Sequence, residues 1–155
     1  MDVRAIPARN AFDLVGAYDV LEHLVEDQAV MREVHAALVP GGGFIATVPQ
    51  HPWLWSNVDD ISCHVRRYRR GELESKLRSA GFEVIFSSSY GVTLPPLMLA
   101  SRLVSAQRAI AQQFDPPAAA NAALRLALNA EVALTLKGVV WPIGGSRVAV
   151  ARKAA

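Results

Sequence analysis

Two stretches of the chain hold most of the side chains able to do chemistry. In the first, Asp19, Glu22 and His23 arrive together, followed by Glu26 and Asp27. Imidazole titrates near neutrality, so His23 is a candidate general base; a structural histidine bonded to backbone is its alternative role. The second stretch, Gln50 to Arg70, carries His51, Trp53, Trp55, Asp59, Asp60, Cys63, His64, Arg66, Arg67, Tyr68, Arg69 and Arg70. Aromatic rings can stack on a flat or apolar molecule, and arginines can grip a carboxylate or phosphate through paired hydrogen bonds. His51, Trp53, Trp55, His64, Arg67 and Tyr68 are therefore the candidate substrate contacts. The competing roles are cover for a sheet end, for the aromatics, and a solvated approach to a helix, for the arginines.

Other chemistries find less support. His51, Asp59, Asp60, Cys63 and His64 are ligand types, but no pair has the short, repeated Cys or His spacing of a zinc site, and no metal is expected. No Ser-His-Asp pattern or nucleophile elbow occurs. A phosphate or dinucleotide loop follows a strand and opens a helix, whereas Gly41 to Gly43 follows a helical pattern and opens a strand. Gly144-Gly145 likewise precedes a strand, so the sequence holds no glycine-rich cofactor loop.

The elements that must position these groups follow from hydrophobic period. Phe12 to Tyr18 is a nearly continuous apolar run, the pattern of a strand covered on both faces in a parallel sheet. A helix is predicted from about Glu26 to Leu38, with acidic residues in its first turn, where the helix dipole favours them. Val39-Pro40-Gly41-Gly42-Gly43 reads as the turn that ends it, and Phe44 to Val48 as the next strand. Gln50 to Arg70 follows as a long binding loop, whose tryptophans argue against disorder. Glu72 to Ala80 reads as a helix, Phe82 to Ser88 as a strand, and Ser146 to Ala151 as the final strand. Between the last two, residues 94 to 113 and about 118 to 137 read as a helical hairpin. Leu97, Ala100, Leu103, Val104 and Ile110 form one apolar face, and Leu124, Leu128, Val132 and Leu136 the other.

Composition narrows the class. A chain of 155 residues, 52% hydrophobic and 19% charged, supports one globular domain with a core and excludes disorder. A net charge of +2 with one short Arg-Tyr cluster does not make a nucleic-acid surface. The single cysteine, Cys63, excludes an internal disulfide framework and suits a reducing compartment. MDVRAIPARN has no apolar core region, so no secretory leader is expected. Leu94 to Val104 is interrupted by Pro95, Pro96 and Arg102 and falls short of the roughly 20 apolar residues that span a bilayer. The expectation is a soluble, cytoplasmic protein without a transmembrane segment.

Taken together, FDLVGAYDVLEHL, LVPGGGFIATVPQH, LRSAGFEV and GGSRVAVARK, in this order and spacing, resemble the C-terminal half of class I S-adenosylmethionine-dependent methyltransferases of the small-molecule (methyltransferase-11/12-like) type. The resemblance covers residues 1 to about 92 and 144 to 153. It implies an α/β fold: a partial Rossmann-like methyltransferase sheet, its fourth to seventh strands, with a helical hairpin inserted before the last strand. It implies a single domain over 1–155, with 94–137 as an insertion or lid. S-adenosyl-L-methionine is the implied cofactor, and a small-molecule or lipid-like compound the implied acceptor. Asp19, Glu22 and His23 would lie beside the cofactor, and Asp2 would match the acidic residue that accepts from the adenine amino group. Pro49-Gln50-His51 would approach the substrate side.

The first strand, glycine-rich loop, ribose-binding acidic residue and third strand of that family have no counterpart in these residues. The expectation is a truncated domain, inactive by itself, whose apolar strand Phe12 to Tyr18 becomes an exposed edge. Such an edge invites pairing, in a homo-oligomer or strand-swapped dimer or with a chain that completes the sheet. The alternative from another class is a non-catalytic interaction or oligomerisation protein derived from a methyltransferase.

Overall fold

The computed structural model describes residues 5–93, 95–96 and 118–154. Asp2 and most of the first arm of the expected hairpin lie outside the described residues. Four strands, β1 (Phe12–Tyr18), β2 (Leu38–Pro49), β3 (Phe82–Tyr90) and β4 (Ser146–Lys153), form one sheet in the order β1-β2-β4-β3. β1 and β2 are parallel, while β4 runs antiparallel to both β2 and β3. The α-helices α1 (Asp27–Ala37), α2 (Asn57–Ile61), α3 (Glu72–Ser79) and α4 (Ala118–Leu136) accompany them.

The core lies on the face covered by α1 and α3. Phe44, Ala46 and Val48, alternate residues of β2, point into it with Ala149 and Ala151 of β4. They meet Val30, Met31, Val34 and Ala37 of α1 and Leu73 and Leu77 of α3. Phe44 stacks on Phe82, with ring centroids 5.4 Å apart.

Three sequence expectations are corrected. Val39 to Gly43 is not a turn: β2 starts at Leu38 and the glycines belong to it. On β1, Phe12 pairs with Leu38 and Leu14 already pairs with Gly43, so β2 bulges around its glycine run. A Cβ at Gly42 would stand 2.8 Å from the Val39 carbonyl oxygen, and one at Gly43 2.9 Å from the Leu14 side chain. Second, Gln50 to Arg70 contains structure: a 3-10 turn (Pro52–Leu54), α2, and an isolated bridge between Gln50 and Tyr68. Third, β1 is not covered on both faces. Among the described residues its only partner is β2, and Leu14 and Tyr18 are 60% and 62% exposed. Only Val15 and Ala17 pack against the core, which matches the expected exposed edge.

On α4 the expected apolar face is largely open, with Val132 and Leu136 exposed. Its anchor is instead Glu131, which is buried and accepts the Gly91 and Val92 amides at 2.7 and 2.9 Å. No helix among the described residues is long and apolar enough to cross a membrane.

Candidate functional site

Because β1 and β2 are parallel, their carboxyl ends open on the same side of the sheet, the side on which open α/β sheets bind ligands. Both exits carry a non-glycine residue in left-handed backbone, Asp19 (φ 50°) and His51 (φ 66°). Such positions cost about 1–3 kcal/mol each and persist only where surrounding contacts over-determine them. Those contacts are present. The Asp19 amide donates to the Thr47 carbonyl and hydroxyl oxygens at 3.2 and 3.0 Å, and the Thr47 hydroxyl donates to Asp19 Oδ1 at 3.1 Å. The His51 amide donates to the Tyr68 carbonyl at 2.8 Å, and the Tyr68 amide returns a bond to Pro49 at 2.9 Å.

After Asp19 the chain makes a 3-10 turn, Leu21–His23. The turn drops Leu21 into the core, buries Glu22 completely, and leaves His23 exposed. Burial pushes the Glu22 carboxyl above its ordinary range; the Asp19 charge adds to this, while its own amide and the two nearby imidazoles act the other way.

A network built on Asp59 joins the two exits. The sequence Ser56-x-x-Asp59 forms a capping box on α2, with Asp59 Oδ2 accepting from the Ser56 amide at 2.8 Å. Its other oxygen, Oδ1, accepts from Arg67 Nε at 2.7 Å and lies 2.9 Å from His64 Nδ1. Burial alone would raise the Asp59 carboxyl, but Arg67, His64 and Ser56 together hold it below its usual value. Arg67 reaches back to the Gln50 carbonyl at 3.3 Å, and the Val65 amide donates to the Glu22 carbonyl at 2.8 Å. The far edge of the His64 ring therefore faces Glu22, with Nε2 4.0 Å from Oε1. The His23 ring meets it edge-on, centroids 4.8 Å apart. Beside His23 a shallow cavity of about 350 Å³ is lined by Leu24, Val25, Glu26 and Val30.

The structure sorts the expected substrate residues into four groups. His64 and Arg67 meet at Asp59. His51 and Trp53 meet at the β2 exit, ring centroids 5.2 Å apart, with Trp53 53% exposed. Burial and the charges of Arg67 and Arg70 keep the His51 imidazole below its ordinary pKa, which favours its neutral form. Trp55 donates to Asp60 at 3.0 Å. Tyr68 is fully buried: its hydroxyl donates to Asp27 Oδ2 at 2.6 Å and Lys76 lies over its ring, contacts that belong to the framework. Sequence reasoning missed Thr47 and the hub role of Asp59. It also missed Tyr90, whose phenol is raised by burial and tied to Ser146 and Thr47. Only Asp59 left a signal, the capping-box spacing.

Residues 1–46 match the family model described as a methyltransferase domain. Solved structures match along the chain's full length. A Haloferax volcanii methyltransferase, in complex with its methyltransferase activator, superposes with TM-score 0.60 at 15% identity, over 100% of this chain and 60% of that one. Phosphoethanolamine N-methyltransferase 2 of Haemonchus contortus, bound to S-adenosyl-L-methionine, gives 0.58 at 17% identity, over 99% and 36%. The fold is that of a class I methyltransferase. The cyclase SpnF shares this methyltransferase fold, with TM-score 0.56 at 25% identity, over 100% of this chain and 56% of that one. The chain thus spans 36 to 60% of the length of these structures. No curated protein matches the sequence.

Proposed function

We propose that these residues form the acceptor-facing part of an S-adenosylmethionine-dependent methyltransferase acting on a small-molecule or lipid-like acceptor. A fold that also serves a cyclase does not by itself assign methyl transfer, so the reading rests on the site. The observation that carries it is the Asp19–Glu22–His23 exit of β1, locked by Thr47 and tied to the β2 exit through Asp59 and Arg67.

Toward S-adenosylmethionine the described residues fit on one side only. The Asp19 carboxylate is exposed at the strand exit, but the sequence holds no Gly-x-Gly-x-Gly-like loop to cradle the rest of the cofactor. Bound cofactor would supply an electrophilic methyl group; the chain's part is to hold an acceptor atom in line with it, which requires positioning more than a strong base. His51 and Trp53 provide an imidazole face and an exposed indole for that purpose. These residues alone are expected to be inactive, with the remaining cofactor contacts supplied by a further segment or chain.

Calorimetric titration with S-adenosylhomocysteine tests the reading. Saturable binding that Asp19→Asn weakens at least tenfold supports it. Binding unaffected by Asp19→Asn, or none by a folded chain, counts against a cofactor site at this exit. The exposed apolar edge of β1 favours a second reading, an interaction protein that pairs this edge between two copies. A clean monomer by sedimentation at micromolar concentration would remove it.

A further inference from the structure

Glu22 is out of keeping with its surroundings. It is fully buried, yet neither carboxylate oxygen has a hydrogen-bond partner among the described residues. An unpartnered buried carboxylate is costly, and proteins retain such groups where something else completes them. What surrounds it is specific: one donor atom each from Glu22, His23 and His64 lies within 4.8 Å of the others.

Both imidazoles are also oriented from behind. His64 Nδ1 is 2.9 Å from Asp59 Oδ1, and His23 Nδ1 is 3.3 Å from the Cys63 carbonyl oxygen. An acceptor at Nδ1 fixes the proton there and leaves Nε2 as the nitrogen with a lone pair, the arrangement that outer-shell groups give metal-bound histidines. Asp59 is itself held by Arg67 and Ser56, so the His64 ring is set by a rigid chain of contacts.

We infer that Glu22, His23 and His64 bind a divalent transition-metal ion, with Asp59 and the Cys63 carbonyl orienting the two imidazoles. Two nitrogens and one carboxylate suit Zn²⁺ or Fe²⁺ over Mg²⁺ or Ca²⁺, which prefer all-oxygen sites. A tetrahedral ion with bonds of about 2.1 Å wants its donors about 3.4 Å apart. Closing the present cluster therefore asks for a shared movement of about 1 Å, which the exposed His23 ring can supply. Three protein donors leave a position for water or an oxygen of a small molecule, as in open zinc sites. His23 also lines the 350 Å³ cavity, from which such a molecule would approach. The inference does not depend on methyl transfer.

Untagged chain, competed for Zn²⁺ against a chromogenic chelator at neutral pH, should bind one equivalent. Co²⁺ should give the intense visible bands of a four-coordinate site without a thiolate charge-transfer band, and excess Mg²⁺ should not displace it. His23→Ala, at an exposed ring, and Glu22→Gln should each weaken Zn²⁺ at least tenfold while circular dichroism stays unchanged. Asp59→Asn, where it folds, should weaken it roughly 10- to 100-fold as an orienting residue. Absence of stoichiometric binding would overturn the inference, as would binding that His23→Ala and Glu22→Gln both retain. A thiolate band lost in Cys63→Ser would place the ion on the exposed Cys63 and overturn it equally.

Discussion

Two buried carboxylates five residues apart, Glu22 and Asp27, meet opposite fates. Asp27, at the first turn of α1, accepts from the Tyr68 hydroxyl, Arg66 and the Gln28 amide, and pairs with Lys76. It ties α1 to α3 and to the segment after β2, and every one of those partners comes from inside the fold. Glu22 is equally buried, yet among the described residues neither of its oxygens has a hydrogen-bond partner, and His64 Nε2 stands off at 4.0 Å. The lesson is that burial of a charge does not assign its role; its partners do. A satisfied carboxylate is framework, and an unsatisfied one at a strand exit points to a ligand.

The largest test of that contrast is Asp27→Ala. It strands the Lys76 and Arg66 charges and the Tyr68 hydroxyl, and should cost about 3–5 kcal/mol in urea unfolding. Glu22→Gln, in metal-free buffer, should cost nothing or stabilise the fold by up to about 1 kcal/mol, since it removes an uncompensated buried charge. Equal losses from the two variants would break the comparison.

Glu74 sharpens it on the framework side. Burial pushes its carboxyl up, but the Ser87 hydroxyl, its own amide and Arg147, whose Nε stands at 2.7 Å, outweigh this and hold the pKa below the ordinary value of 4.5. A carboxyl lowered on folding contributes stability that is present above its unfolded pKa and lost as pH falls through its folded pKa. Stability should therefore fall on acidification below about pH 5, and Glu74→Gln should be about 1–3 kcal/mol less stable near neutrality with a shallower acid slope, measured by denaturation at stepped pH. The smallest effect belongs to His51→Gly. Relief of the left-handed backbone opposes glycine's greater entropy loss, so stability should change by no more than about 1 kcal/mol.

The parts of the fold that follow from hydrophobic period were legible in the sequence. Phe44, Ala46 and Val48 alternate, and Leu73 and Leu77 share one face of α3, because burial on one side leaves its mark on residue type. The β2 bulge was not legible, because Val39-Pro40-Gly41-Gly42-Gly43 carries the same residues as a helix-ending turn. Only the pairing of Leu14 with Gly43 distinguishes them. At the site, Asp19, Glu22 and His23 could be named from their position after a strand, and the structure keeps them at its exit. The meeting of His64 with Glu22 could not be read. It depends on α2 turning the chain so that Asp59 presents His64, a contact across 42 residues with no periodic signature.

The place of β4 bears on how the sheet is assembled in time. β4 follows β3 in the sequence by about 55 residues, yet it lies between β2 and β3, and β3 has no other strand partner among the described residues. During synthesis β3 must therefore wait as a lone strand until residues 146–153 leave the ribosome, so the sheet closes late through contacts distant in sequence. Over that interval its exposed hydrogen-bonding edges are open to other chains, and the yield of native protein depends on how quickly β4 arrives to fill the gap.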